Sequence, residues 1–282
     1  MAWLALRGEP LTDERGIPSE IDAVLFDKDG TLSISEPMLK TLAEARVFHC
    51  VALAVERHPT LLHGSGAGGL TGASELENLL RRAYGLSDAG IHPAGTTAVG
   101  SRNHNLISTA TVLSQVGLGW PEALELGQAV FAATDNLHGQ GSPQRPEATD
   151  GLGELVAQLA SAGVLCAVIS NDEVAGIEAF LTSQHLEQHF SGIWSAEHTP
   201  HKPDPAAVRG LCSELGVSPR RCALIGDANS DLRMARAADV AVVLGYTAAW
   251  SSTPPLDPSF AQLQHWSELT LQTCRSLPAV MG

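Results

Sequence analysis

Five short apolar runs constrain this chain more than any other feature: Ala23 to Phe26, Val164 to Ile169, Gly192 to Trp194, Cys222 to Ile225 and Val240 to Leu244. Their length and apolar content fit buried β-strands. Between the later runs, apolar spacing predicts helices over Gly151 to Ala162, Glu173 to His185, Pro205 to Gly216 and Asn229 to Ala237, with Gly163 and Gly216 where helices commonly stop. Strand alternating with helix buries its apolar faces as a parallel, doubly wound sheet. The fold class is therefore α/β.

The alternation fails once, between the first and second runs, where the intervening chain is too long for one crossover. Most of it reads as helix: Pro37 to Glu56, Ser74 to Tyr84 opening on a Ser74 to Glu77 capping box, Leu106 to Val116, and Pro121 to Thr134. An inserted, mostly α-helical cap domain over 33–146 follows, with the sheet domain formed by 1–32 and 147–282. Gly139 to Pro146, rich in Gly and Pro, reads as the return connector, and Thr149 or Asp150 as the next N-cap.

Composition narrows the partners. A formal charge of -14 argues against a surface that holds nucleic acid or anionic membrane by bulk attraction. It leaves room for a small phosphorylated substrate, because one lysine, backbone N–H groups and a divalent cation can reverse the field inside a cleft. The five cysteines, Cys50, Cys166, Cys212, Cys222 and Cys274, contain no CxxC pair and read as buried small hydrophobes in a reducing compartment. The N-terminal apolar run in MAWLALRGEP is far short of a signal h-region, and no stretch is long enough to span a bilayer. The expected setting is cytoplasmic, as a monomer or homodimer.

The first strand runs into Asp27-Lys28-Asp29-Gly30-Thr31, which puts two carboxylates one residue apart at the carboxyl end of a buried strand. Ligands bind at that end of an open α/β sheet. Carboxylates so close repel unless a cation neutralises them or one is protonated. An Asp-Gly turn after a strand is itself common, so this motif alone does not decide between turn and site.

Three further motifs follow in order: Ser170 after the second strand, Lys202 in His201-Lys202-Pro203-Asp204-Pro205, and Gly226-Asp227-Ala228-Asn229-Ser230-Asp231 after the fourth strand. With DxDGT, this series resembles the haloacid dehalogenase (HAD) superfamily, over about 21 to 247; the cap matches only in position and helical character. The resemblance implies a Rossmann-like core with the first strand beside the fourth, and a Mg2+ site in which Asp27 and Asp227 ligate through side chains, Asp29 through its backbone carbonyl, and Asp231 is an outer, water-linked partner. It also implies that Asp27 is the nucleophile, forming an aspartyl-phosphate, and that Asp29 is the acid and base. Ser170, Asn171 and Lys202 would hold the phosphoryl group. Dehalogenases lack the second carboxylate, so Asp29 argues against that reaction. Transporting ATPases carry DKTGT, and Asp29 with the absence of spans argues against them despite Lys28.

The resulting expectation is a Mg2+-dependent phosphomonoester hydrolase acting on a small phosphorylated metabolite. The alternatives are a phosphosugar mutase and a non-catalytic binding protein on the same scaffold. Gly64 to Gly69 fits GxGxxG, but no strand precedes it, and a flexible loop is the preferred reading. Arg102-Asn103-His104-Asn105 reads as a solvated loop before a helix, with Arg102 a minor candidate for an anionic substrate group. His198 and His201 read as surface residues, Arg81 and Arg82 as facing water, and Trp120, Trp194 and Trp250 as packing residues.

Overall fold

The computed structural model describes residues 1–59, 72–135 and 145–273. Two compact units form, one from Met1–Ile34 with Glu147–Gly282, the other from Ser35–Pro146. The chain opens with β1 (Ala2–Leu6), β2 (Glu9–Pro10), β3 (Ala23–Phe26) and β4 (Ser33–Ile34). The second unit then holds α1 (Glu36–Arg57), α2 (Gly72–Tyr84), β5 (Leu86–Ser87), β6 (Gly90–Ile91), α3 (Thr96–Val99), α4 (Arg102–Gln115) and α5 (Trp120–Asp135). The first unit resumes with β7 (Glu147–Ala148), α6 (Leu152–Ser161), β8 (Leu165–Ile169), α7 (Val174–Ser183), β9 (Phe190–Trp194) and α8 (Pro205–Leu215). It ends with β10 (Cys222–Gly226), α9 (Asn229–Ala237), β11 (Val242–Tyr246), β12 (Ala261–Leu263) and β13 (Leu269–Thr273).

Six strands make a parallel sheet in the order β12-β11-β10-β3-β8-β9. From β3 the chain builds outward on one side through β8 and β9, then returns to build β10, β11 and β12 on the other. That reversal leaves a crevice at the carboxyl end of β3, the switch point of a doubly wound sheet. Because strand side chains alternate, Val24 and Phe26 enter one core with Leu155 and Leu159 of α6 and Ile177 of α7. Ala23 and Leu25 enter the other, with Val208 and Leu211 of α8 and Met234 of α9. Both faces of β3 are thus covered and its four residues are buried, which is why it reads as an unbroken apolar run.

The N-terminal run is a strand: β1 pairs antiparallel with β13 and with β2. Trp266, between β12 and β13, stacks on Tyr246 with ring centroids 4.4 Å apart, and its Nε1 donates to Thr149 Oγ1 at 2.8 Å. Thr149 Oγ1 in turn donates to the Thr31 carbonyl at 2.9 Å. Engaged in this way, Thr149 does not cap α6; Gly151, at φ 82, stands there instead of Thr149 or Asp150.

Other local expectations shift in the helical unit. α2 begins at Gly72, so Ser74 lies inside its first turn rather than at an N-cap. α4 begins at Arg102, with Ser101 as the N-cap whose hydroxyl accepts from the His104 amide; the expected loop is the helix's first turn. Arg102 donates twice to Asp135 Oδ2, and Asp135 also pairs with the buried Arg46 at 3.1 Å. Arg81 pairs with Asp88 at 3.1 Å, and Trp120 is 47% exposed rather than packed. Cys50, Cys166, Cys212 and Cys222 are free, buried thiols. Gly64 to Gly69, Gly139 to Gln144 and Cys274 fall outside the described residues. Among the described residues, no helix is long and apolar enough to cross a membrane.

Candidate active site

Asp27 directly follows β3, and its amide donates to the Ile225 carbonyl at 2.9 Å, extending the pairing of β3 with β10 by one step. Asp227 directly follows β10, and Asp231 lies in the first turn of α9. Adjacent parallel strands therefore deliver Asp27 and Asp227 side by side. One turn of helix returns Asp231 to the same place. The three carboxylates are buried, each offering an oxygen within 4.8 Å of the others.

A single ammonium stands against them. Lys202 Nζ is 2.7 Å from Asp27 Oδ1, 2.8 Å from Asp231 Oδ1 and 3.3 Å from the Ile169 carbonyl at the end of β8, so its three donors are all engaged. Burial opposes its charge, but Asp231 and Asp27 outweigh that and hold its pKa above the usual lysine value. Burial pushes the Asp27 carboxyl up to about 6, against the pull of Lys202 and with the push of Asp231. Burial, then the charges of Asp27 and Asp231, hold Asp227 well above the usual carboxylate range. Three carboxylates sharing one ammonium in a buried place are short of positive charge. An all-oxygen donor set with that deficit fits a hard divalent cation such as Mg2+.

The loop after Asp27 is folded by its own backbone. Ser33 donates through its amide to the Lys28 carbonyl at 2.9 Å, and Gly30 donates to Ser33 at 3.0 Å. Gly30 has φ 82, and a Cβ there would collide with Asp227 Oδ2 and Trp250 Nε1. This turn sends the Asp29 carboxylate away from the triad and onto Lys28, whose Nζ lies 2.6 Å from Asp29 Oδ1 and 3.0 Å from Asp172 Oδ2. Asp29 thus sits close to the cluster in sequence while its carboxylate lies outside the group of three.

Ser170, 2% exposed, follows β8; its amide donates to the Trp194 carbonyl and its hydroxyl accepts from the Asp172 amide at 3.2 Å. Asn171 is next to it, half-buried. Ser170 and Lys202 are tied through neighbouring atoms, since Lys202 bonds the carbonyl of Ile169. His198 bonds Ser195 Oγ through Nδ1 at 2.9 Å and stacks on Trp194, while His201 is exposed. Neither histidine joins the carboxylates. Two residues that sequence reading leaves out of the site touch it: Trp250, expected only to pack, whose Nε1 donates to Asp227 Oδ2 at 2.6 Å, and Asp172, on Lys28. No local pattern announces either, because each contact joins segments distant in the chain.

Known proteins resemble this chain in sequence and in fold. The chain aligns over 146 residues, at 27% identity, with a phosphoglycolate phosphatase of Nitrosococcus oceani, covering 51% of this chain and 64% of that protein. It is 30% identical over 228 residues to a phosphoglycolate phosphatase of Rhodospirillum rubrum, covering 79% of this chain and 78% of the relative. The chain thus spans less than two thirds of the first relative's length and over three quarters of the second's. In fold it resembles the crystal structure of a predicted phosphoglycolate phosphatase from Haemophilus somnus, with TM-score 0.52 and 18% identity, covering 86% of this chain and 93% of that one. The haloacid dehalogenase-like hydrolase family model matches residues 21–239. This chain belongs to the haloacid dehalogenase-like hydrolase family.

Proposed function

We propose that this protein is a Mg2+-dependent phosphomonoester hydrolase that works through an aspartyl-phosphate on Asp27. The observation that carries the reading is the grip of Lys202 on Asp27 inside the buried carboxylate group. That contact orients one oxygen of Asp27 and leaves the carboxylate ionisable near neutrality, as a nucleophile must be.

In this reading an Asp27 oxygen attacks phosphorus, the new O–P bond forms as the bond to the leaving oxygen breaks, and Asp29 gives its proton to that oxygen. Water then attacks phosphorus, Asp29 takes a proton from it, and the Asp27 carboxylate is freed. Ser170, the amide of Asn171 and Lys202 hold the phosphoryl oxygens. Asp27 and Asp227 side chains and the Asp29 carbonyl would hold Mg2+, with Asp231 an outer partner. When bound, the ion balances the carboxylates and stabilises charge developing on the phosphoryl oxygens.

The substrate we assign is a small phosphorylated metabolite, and the names of the relatives from Nitrosococcus oceani and Rhodospirillum rubrum make phosphoglycolate the first compound to try. Residues 35–146 are the part to which we assign substrate selection, as a cap. The test is phosphate release from a panel of phosphorylated metabolites with and without Mg2+. Release that needs Mg2+ and disappears in Asp27→Asn is the expected result; equal release by the two proteins refutes the nucleophile. Isomerised substrate with no net free phosphate would instead indicate a mutase.

A further inference from the structure

Asp227 occupies an awkward place for a carboxylate. It is 3% exposed and stands beside Asp27 and Asp231, both of which repel it. Without restraint, a carboxylate in that position lowers its energy by turning away from its like-charged neighbours. It is held by groups outside its own strand and helix. Thr31 Oγ1 lies 3.4 Å from Asp227 Oδ1, a long contact, whereas the buried indole Nε1 of Trp250 donates to Asp227 Oδ2 at 2.6 Å. Trp250 comes from the segment after β11, and Gly30, lacking a Cβ, lets the carboxylate and indole close against the turn.

The kind of donor matters. A lysine or arginine here would anchor Asp227 but would also neutralise it, and Lys202 already supplies the ammonium that Asp27 and Asp231 share. An indole N–H orients the carboxylate through one oxygen and adds no net charge, so the negative charge stays available to a cation. We propose that Trp250 is a positioning residue for the divalent-cation site: it fixes the Asp227 carboxylate beside Asp27 and Asp231. This rests on the metal-dependent reading given above. Outer hydrogen bonds of this kind commonly change metal affinity 10- to 100-fold.

The experiment is Mg2+ binding by isothermal titration calorimetry to wild type, Trp250→Phe and Asp227→Asn, with the thermal midpoint of each measured without metal. Phe keeps a ring in the space and removes the N–H. The expected result is a Mg2+ dissociation constant about 10- to 100-fold higher in folded Trp250→Phe than in wild type. An unchanged constant in Trp250→Phe, with binding lost in Asp227→Asn, overturns the proposal and leaves the metal site standing. Wild type that binds no Mg2+ and releases phosphate equally without it overturns the metal reading and this proposal together. Should Trp250→Phe not fold, wild type with 15N-labelled indoles carries the test. Among the described residues Trp194 donates to a carbonyl, Trp266 to a hydroxyl and Trp250 to a carboxylate, so Mg2+ should shift the Trp250 Nε1–H resonance. No indole resonance moving at saturating Mg2+ overturns the proposal.

Discussion

Lys28 Nζ lies 2.6 Å from Asp29 Oδ1 and 3.0 Å from Asp172 Oδ2, with the lysine side chain 3% exposed and those of the two acids 20% and 33%. Burial opposes the charge of this lysine, yet Asp172 and Asp29 outweigh it and hold its pKa above the usual value. The loop carrying Asp29 is thereby pinned to the segment after β8. Lys28→Met should remove the ammonium that both carboxylates share and cost on the order of 3 kcal/mol in urea unfolding. Asp172→Asn removes only the more exposed partner and should cost about 1 kcal/mol or less. Equal, small losses would mean that the pairing does not hold the loop.

Lys202 is placed to have a larger and metal-dependent effect. Lys202→Met should strip from Asp27 and Asp231 the one ammonium that pairs with them among the described residues, and destabilise the metal-free protein by about 3–5 kcal/mol. A cation that binds the native carboxylates but not the unfolded chain stabilises by mass action. Unfolding in EDTA and in excess Mg2+ should therefore show part of the loss restored by the ion. A loss of the same size in both conditions would separate Lys202 from any cation site.

The same cluster sets a pH dependence with a definite sign. The Asp27 carboxyl is raised from 3.8 to about 6, and Asp227 is raised in the same direction. The native state thus binds protons that the unfolded chain has released, so this contribution is present below about pH 4 and is lost as pH rises through about 6. For Asp27 alone that amounts to something on the order of 3 kcal/mol. Chemical unfolding of metal-free protein from pH 4 to 7 should show this downward component, and Asp27→Asn should reduce it. Excess Mg2+, which favours the ionised carboxylates, should reverse the slope above pH 6.

Legibility from sequence followed the range of the forces involved. β3, β8 and β10 announce themselves because both sheet faces bury them, and Asp27, Ser170 and Asp227 directly follow those strands in sequence. β1 and β13 carry no such signal: each is stabilised by the other from the opposite end of the described chain, and Ala2 meets Thr273 only after folding. β12 is an edge strand of three residues, too short for a pattern. The direction of the Asp29 carboxylate depends on Lys28 and Asp172 together, and the indole at Trp250 reaches Asp227 from beyond α9 and β11. Such contacts are set by tertiary geometry, which no local periodicity encodes.

Gly30 is where that geometry is least tolerant of change, and Gly163 supplies the control. Both have positive φ, 82 and 78, so alanine at either position carries backbone strain of about 1–2 kcal/mol. They differ in what a Cβ would meet: nothing within 4 Å at Gly163, but Asp227 Oδ2 and Trp250 Nε1 at Gly30. Gly163→Ala should therefore lose only the strain and bind Mg2+ as wild type does. Gly30→Ala must also push apart the indole and the carboxylate, so its stability loss should exceed that of Gly163→Ala and its Mg2+ affinity should fall at least 10-fold. Paired calorimetric titrations and urea unfolding check both. Equal behaviour of the two variants would mean that the turn after Asp27 can relax without moving Asp227, and the close approach at Gly30 would then have no bearing on how the carboxylates are held.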